Sequence, residues 1–267
     1  MQGEFHISPS SLNTFCECAY RYHLKYVERI PEGEDKRYFA LGKLVHRTIA
    51  VLTEAVQADL HRRISAEALP DAVIEAAKLE GVSDSEIRRD ALVMLTAWYD
   101  YDTLKTPVVL LDGEELRYEV EPGIPVIGKP DAIRRTETHD ILVDYKTGNS
   151  RYYQSDVENS PQLLIYALLW KRHLEAHPER RPSHGNIPHM KIRYEQITHR
   201  KDVETEVDPN DLDVMEDWLK DVAHSMQSGD TTPNPGFYCR GCPYLSRCPS
   251  GTANVEEREQ MKSHTAL

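Results

Sequence analysis

The chain has 267 residues, 40% of them hydrophobic, five cysteines and a formal net charge of −12. That length allows one large domain or two small ones with a sizeable core, and no apolar run is long enough to span a membrane. The acidic balance excludes a protein that coats nucleic acid through its overall field, but it leaves room for a local basic groove.

In chain order, "MQGEFHISPSSLNTF" has no basic segment followed by an apolar one and does not read as a secretory signal. A cytoplasmic protein with free thiols or a metal site is expected, not a disulfide framework. "ISPSSLNTFCECAYRYHLKYV" predicts a Ser-capped helix with an aromatic stripe at Phe15, Tyr22 and Tyr26. A second helix follows in "RYFALGKLVHRTIAVLTEAV", with apolar positions at Leu41, Leu44, Val45, Ile49 and Leu52. Two more are expected near 66–80 and 84–103, the latter with Ser83 and Glu86 at capping-box spacing. "TPVVLLDGEELRYEVE" then alternates around an Asp-Gly turn, a hairpin signal. Strand-like segments follow in "IPVIGKPDAIRR" and "HDILVDYKTG", and "SPQLLIYALLWKRHLEAH" is a helix with Ser160 at the cap and Pro161 first. "HMKIRYEQIT" and "KDVETEV" make a second strand pair, "DPNDLDVMEDWLKDVAHSMQSG" a helix, and "ANVEEREQMKSHTAL" a polar tail. The order predicts an α/β core, a mixed β-sheet flanked by helices, with an N-terminal helical elaboration.

The chemistry concentrates in "GKPDAIRRTETHDILVDYKTG". Residues two apart on a strand share a face, so Asp144 and Lys146 project together. Hairpin pairing of the strand bearing Asp131 with the strand bearing Asp144 would bring both carboxylates to one end of the sheet. Adjacent carboxylates repel, and a hard divalent cation relieves that repulsion. A neighbouring lysine can orient or deprotonate a water and balance phosphate charge. A "DxK" alone is an ordinary strand end; separate parts in a fixed order are what give it weight.

Those parts resemble the PD-(D/E)XK nuclease superfamily and, within it, the RecB-like branch. Pro130-Asp131 matches the "PD", and Asp144-Tyr145-Lys146 the "(D/E)XK". Upstream, "GKLVH" is similar to that branch's Gly-x-x-x-His element, and downstream "QLLIY" to its Gln-x-x-x-Tyr element. The resemblance spans residues 8 to 249. It implies a restriction-endonuclease-like core and Mg²⁺ or Mn²⁺ held by His46, Asp131, Asp144 and the backbone carbonyl of Tyr145. Asp131, Asp144, Lys146, Gln162 and Tyr166 are its implied catalytic residues. Glu115, Glu119 and Glu121 either join the metal's surroundings or are exposed positions of an alternating strand. Arg21, Tyr22, Lys25, Lys43, Arg47 and "KIRYEQITHRK" offer basic and aromatic groups for holding a single strand.

Cys239-x2-Cys242-x5-Cys248 has ligand-like spacing, and a closed tetrahedral site needs a fourth donor. "SSLNTFCECAYRYHL" resembles the helix that carries the N-terminal cysteine in iron–sulfur RecB-like nucleases, including CRISPR-associated and AddB-type ones. In that register the donor is Cys18, Ala19 stands where the family has Pro, and Cys16 is spare. The resemblance implies a structural [4Fe–4S] cluster on Cys18, Cys239, Cys242 and Cys248; spacing alone leaves Zn²⁺, and Cys16, open.

Residues 1–250 are thus expected to form one nuclease domain: a helical part to 105, a catalytic α/β core over 106–207, and a helix with the cysteine segment over 208–250, before the tail at 251–267. The implied activity is exonucleolytic hydrolysis of DNA, on single-stranded ends and 5′ to 3′, in recombination, repair, or phage or CRISPR DNA processing. With no phosphate-binding "GxxxxGK[ST]", unwinding would fall to a helicase, recombinase or CRISPR partner. A structure-specific endonuclease and a non-catalytic DNA-binding subunit are the rivals.

Overall fold

The computed structural model describes residues 5–32, 36–58, 65–100, 104–111 and 114–251. The chain divides into two compact units: a larger one of Asp35–Tyr118 and Val126–Glu216, and a smaller one of Met1–Glu34, Glu119–Pro125 and Asp217–Leu267. Among the described residues, no helix is long and apolar enough to cross a membrane.

In the smaller unit, α1 (Pro9–Glu17) starts at Ser8, whose hydroxyl accepts from the Ser11 amide. Where one continuous helix is expected, the chain breaks at Cys18, whose backbone is extended (φ −165°, ψ 112°), and restarts as α2 (Ala19–Tyr22). Ala19 is therefore the first residue of a new helix. Its position is one where the amide has no helical partner, which suits either Ala or Pro. α2 runs into one π-helical turn, His23–Val27.

The larger unit contains α3 (Lys36–Ala58), α4 (Leu69–Glu80) and α5 (Ser85–Trp98). The cap of α5 is Asp84, not Ser83: its carboxylate accepts from the amides of Glu86 and Ile87. Five described strands follow in chain order: β1 (Val108–Leu111), β2 (Leu116–Glu121), β3 (Ile124–Gly128), β4 (Ala132–Arg135) and β5 (His139–Lys146). After a short helix α6 (Gln154–Glu158) come α7 (Pro161–Ala176), β6 (His189–Gln196), β7 (Lys201–Glu206) and α8 (Pro209–Gln227).

The main sheet has the order β1-β4-β5-β6-β7, with β5 and β6 parallel and the other pairs antiparallel. The expected β1–β2 hairpin is not formed. β1 pairs with β4, while β2 pairs with β3 in a separate ribbon. Asp112 and Gly113, the expected turn, lie outside the described residues. The turn that does pair β2 is Pro122-Gly123, where Gly123 at φ 81° supplies the left-handed conformation that a Pro-Gly turn requires. The tail from 252 onward also lies outside the described residues.

β5 is buried along six consecutive residues because both its faces are covered. Ile141, Val143 and Tyr145 join the core built with α3, α4 and α5. The alternate residues face α7, whose Leu163, Ile165, Tyr166, Leu168, Leu169 and Trp170 are buried. Trp170 Nε1 reaches Asp140 at 2.8 Å, and that carboxylate is also clamped by Arg135 at 2.7 Å on each oxygen. A helix buried on nearly every side reads as apolar all round, as this one does.

Candidate active site

Four elements of the larger unit deliver polar side chains to the C-terminal end of β5. Asp131 sits just before β4, where its amide donates to Val143 O at 3.2 Å. The antiparallel register of β4 on β5 (Ala132 opposite Val143) is what brings it beside Asp144 and Tyr145. Asp131 Oδ2 accepts from the Tyr145 amide at 2.7 Å, and its Oδ1 meets His46 Nδ1 at 2.9 Å. His46 stands on α3, one turn beyond Gly42. An added Cβ at Gly42 would lie 3.3 Å from Thr147 Oγ1, so the glycine lets α3 run close to the segment after β5.

Asp144 faces α7. Its Oδ1 accepts from Gln162 Nε2 at 2.7 Å and its Oδ2 pairs with Lys146 Nζ at 2.8 Å. Gln162 completes a ring, receiving from Lys146 at 3.3 Å and donating to the Tyr166 hydroxyl at 3.0 Å. Lys146 Nζ also lies over two tyrosine rings, 4.4 Å from the Tyr194 centroid and 5.4 Å from that of Tyr152. The side chain of Tyr145 goes to the other face. Its hydroxyl accepts from Arg134 at 3.0 Å, and its ring meets His46 and Trp98 edge-on at 5.7 and 6.4 Å between centroids.

Burial pushes the Asp144 carboxyl up from the usual carboxylate range, with the charge of Asp131 adding to it and Lys146 opposing. Burial alone would lower the Lys146 ammonium, but the charge and hydrogen bond of Asp144, together with the Tyr194 and Tyr152 hydroxyls, outweigh it and the lysine is held above its ordinary range. Burial likewise raises the Tyr166 hydroxyl, which stays a neutral hydrogen-bonding group. The pattern is two carboxylates in one another's field beside a lysine that stays protonated.

A family profile describing the PD-(D/E)XK nuclease superfamily matches residues 6–249. The chain belongs to the PD-(D/E)XK nuclease superfamily. It has the mixed α/β architecture of that superfamily, with a five-stranded sheet flanked by helices. Among solved structures, SSO0001 is similar at 18% identity and a TM-score of 0.38, over 80% of this chain and 96% of the other. A "Putative exonuclease" from Eubacterium rectale is similar at 10% identity and a TM-score of 0.48, over 90% and 87%. A comparison with curated proteins returned no match.

For a member of a nuclease superfamily, the donors suit a hard cation: two carboxylates and an imidazole. In this structure those donors are turned onto one another and onto Lys146 and Gln162. Among the described residues, no group of three or more His, Cys, Asp or Glu side chains is arranged as a ready-made metal cage. Sequence patterns name His46, Asp131, Asp144, Lys146, Gln162 and Tyr166, and all six fall in this one network. They do not name Tyr152, they give Ser160 only as a helix cap, and they include Tyr194 only within "KIRYEQITHRK". Of those, Ser160 caps α7 through Leu163 N at 3.2 Å and also holds the Tyr194 hydroxyl at 2.6 Å. Nothing in the spacing of a lone aromatic marks it as covering a lysine.

The glutamates of β2 are occupied elsewhere: Glu119 accepts from the Gly123 amide at 3.4 Å and Glu121 pairs with His224 at 3.0 Å. Glu115 pairs with Lys129 at 3.6 Å. Most of the groups expected to hold a strand are likewise engaged. Arg21 and Lys25 share Glu32, Lys43 and Arg47 share Glu80, and Lys191 and Arg193 are held by Glu204. Tyr22 is buried between Phe15 and Tyr26.

In the smaller unit, Cys18, Cys239, Cys242 and Cys248 line one cavity, and Cys16 does not. Two sulfurs accept backbone N–H groups: Cys18 from Asn234 and Cys239 from Gly236, each at 3.4 Å. Burial raises the Cys242 thiol, and Cys18 and Cys239 add to the rise. The loop is moored by Tyr244, which donates to Ile30 O at 2.6 Å, and by Tyr20, which donates to Arg247 O at 3.2 Å. All five cysteines are free thiols.

Proposed function

We propose that this nuclease is a Mg²⁺- or Mn²⁺-dependent DNA exonuclease that hydrolyses phosphodiester bonds from the ends of single-stranded DNA, 5′ to 3′. The observation that carries the reading is the linked network of His46, Asp131, Asp144, Lys146 and Gln162 at one end of β5. His46, Asp131, Asp144 and the Tyr145 carbonyl are the groups that would hold the cation. A bound cation would lower the pKa of a coordinated water and polarise the scissile phosphate. Lys146, protonated, would offer a positive donor to the phosphate as negative charge develops. Gln162 orients Asp144 and Lys146 together, and the Tyr166 hydroxyl accepts its second amide hydrogen, which fixes the amide's direction. Tyr152 and Tyr194 keep the lysine over their rings and shield it from water.

In the smaller unit the four cavity cysteines would hold a structural [4Fe–4S] cluster, their thiolate chemistry suiting such a guest as it also suits Zn²⁺. The profile match over 6–249 includes both units and supports reading residues 1–250 as one nuclease domain.

The test is digestion of end-labelled linear single-stranded DNA with Mn²⁺ by the wild type and by Asp144→Ala. The wild type should release labelled mononucleotides or short fragments from a 5′ label first, and the variant should lose at least about a hundredfold in rate. Equal rates from both proteins would overturn the catalytic reading, and cleavage of a circular strand would make the enzyme an endonuclease.

A further inference from the structure

The segment after Lys146 is held by the β6–β7 connection along its length. Thr198 Oγ1 donates to Thr147 O at 2.8 Å, and His199 Nε2 lies 3.1 Å from Asn149 O. The Gln196 amide, buried, clamps Tyr152 twice: its Oε1 accepts from Tyr152 N at 2.8 Å and its Nε2 donates to Tyr152 O at 2.9 Å. Tyr152 is thereby fixed over Lys146. The next residue, Tyr153, turns outward and is 60% exposed, with its backbone pinned by the Asp156 carboxylate at 2.6 Å. The ring is thus presented to solvent one residue away from the tyrosine that covers the candidate catalytic lysine.

The charges at the same place differ from those elsewhere in the unit. Of the acidic groups of β7, Asp202 and Glu204 are taken up by Lys191 and Arg193, and Glu206 pairs with His139. Arg151, Arg200 and Lys201 are exposed, and among the described residues none of the three has a carboxylate within ion-pair distance. Lys201 stands opposite Gln196 in the β6–β7 ladder, and directly opposed residues project to the same face. It therefore lies on the side where Gln196 holds Tyr152. In a chain of net charge −12, these three cations, without a carboxylate partner among the described residues, and the exposed Tyr153 lie on two segments that the Thr198, His199 and Gln196 bonds hold together, a local basic and aromatic surface.

We infer that residues 147–153 and the β6–β7 turn form the surface that holds a single-stranded stretch of DNA beside the scissile phosphate. A nucleobase stacks on Tyr153, and Arg151, Arg200 and Lys201 meet the flanking phosphates. Stacking accepts any base and needs that base unstacked from its neighbours, so the surface selects a single strand over a duplex without reading sequence. The inference rests on the nuclease reading of Asp131, Asp144 and Lys146 and adds to it the residues that hold the strand.

The experiment uses the full chain carrying Asp144→Asn, so that the strand is not cut, and measures anisotropy of a labelled single-stranded oligonucleotide at low salt in EDTA. Adding Tyr153→Ala should weaken binding about tenfold, and Tyr153→Trp should restore it. Arg151→Glu with Arg200→Glu should weaken it at least as much and flatten its salt dependence, whereas Lys78→Ala should leave it unchanged. An abasic site walked along the oligonucleotide should cost affinity at one position in the Asp144→Asn parent and nowhere in the Tyr153→Ala form. If the Tyr153 and arginine variants, folded by circular dichroism, bind within twofold of the parent, the inference fails, and so it does if the parent binds no single strand. Digestion by the wild type, assayed alongside, separates these outcomes from failure of the nuclease reading itself.

Discussion

Lys146 is the residue on which most of the larger unit's local chemistry converges: one carboxylate, one amide and two aromatic rings surround its ammonium. The helix α7, which supplies Gln162 and Tyr166, also packs against the end of β3 in the ribbon, and a single small residue sets that approach. At Gly128 an added Cβ would lie 2.7 Å from Leu169 Cδ1 and 3.0 Å from the Tyr166 ring. Leu169 and Tyr166 are themselves buried, so neither can swing clear without disturbing its neighbours. Gly128→Ala should therefore destabilise the fold by about 1–3 kcal/mol through overpacking, read as a lower urea midpoint. Because Tyr166 orients Gln162, activity should fall with it. The "PD" and "DxK" residues are legible as a pattern, since their chemistry requires those residue types. Gly128 is not, because what it excludes is a contact with a helix more than thirty residues later in the chain.

At the scale of elements, α7 and β6 are joined by one serine. Ser160 is readable as a helix cap from the Ser-Pro start; its second bond, to the Tyr194 hydroxyl, is made only when β6 lies beside β5. Ser160→Ala should cost about 1–2 kcal/mol as a lost cap, and more if the buried Tyr194 hydroxyl finds no new partner, measured by chemical denaturation. β6 carries a second buried group, Glu195, which accepts from Trp98 Nε1 at 2.9 Å while its other oxygen has no hydrogen-bond partner among the described residues. Burial pushes its carboxyl up to about 7, with Arg134 opposing. The folded chain thus binds this proton more tightly than the unfolded chain does. Its contribution to stability is full below the ordinary carboxylate range and is lost as pH rises through about 7. Glu195→Gln should flatten that loss: between pH 5.5 and pH 8 its denaturation midpoint should change less than that of the wild type. The helix and strand spans of this region follow from periodicity; the exception is the β1–β2 pairing, where an Asp-Gly signal competes with Pro122-Gly123 and the latter takes β2 into its own ribbon.

For the molecule as a whole, the cysteines test whether widely separated segments of the smaller unit share one bound group. Cys18 precedes Cys239 by more than two hundred residues, and a bound group closing so long a loop removes much entropy from the unfolded chain. Protein purified without air should contain iron and absorb broadly near ~400 nm if a cluster is bound. Cys18→Ser should lose the metal and lower the thermal midpoint, while Cys16→Ser, whose residue does not line the cavity, should keep both. Zinc in place of iron would assign a Cys₄ zinc site to the same four residues. The spacing of the three C-terminal cysteines is a local signal and is visible in the sequence. That Cys18 and not Cys16 lines the cavity with them is not visible in the sequence; the chain is extended at Cys18, where α1 ends.

The sequence alone carries the ordered motifs and the elements whose hydrophobic period is strong. Asp131, Asp144, Lys146, His46, Gln162 and Tyr166 could be named because they match, in order, the motifs of a known nuclease superfamily. Which groups surround them depends on the fold. The Tyr152 and Tyr194 rings over Lys146, the Gln196 clamp, and the pairing of Lys43, Arg47, Lys191 and Arg193 with acidic partners all depend on strand register and helix approach. Those contacts join residues far apart in the chain, and a side chain's type does not reveal its neighbour. The same reason separates the paired from the unpaired cations within "KIRYEQITHRK": Lys191 and Arg193 face glutamate and aspartate across the ladder, and Arg200 and Lys201, at its turn, do not.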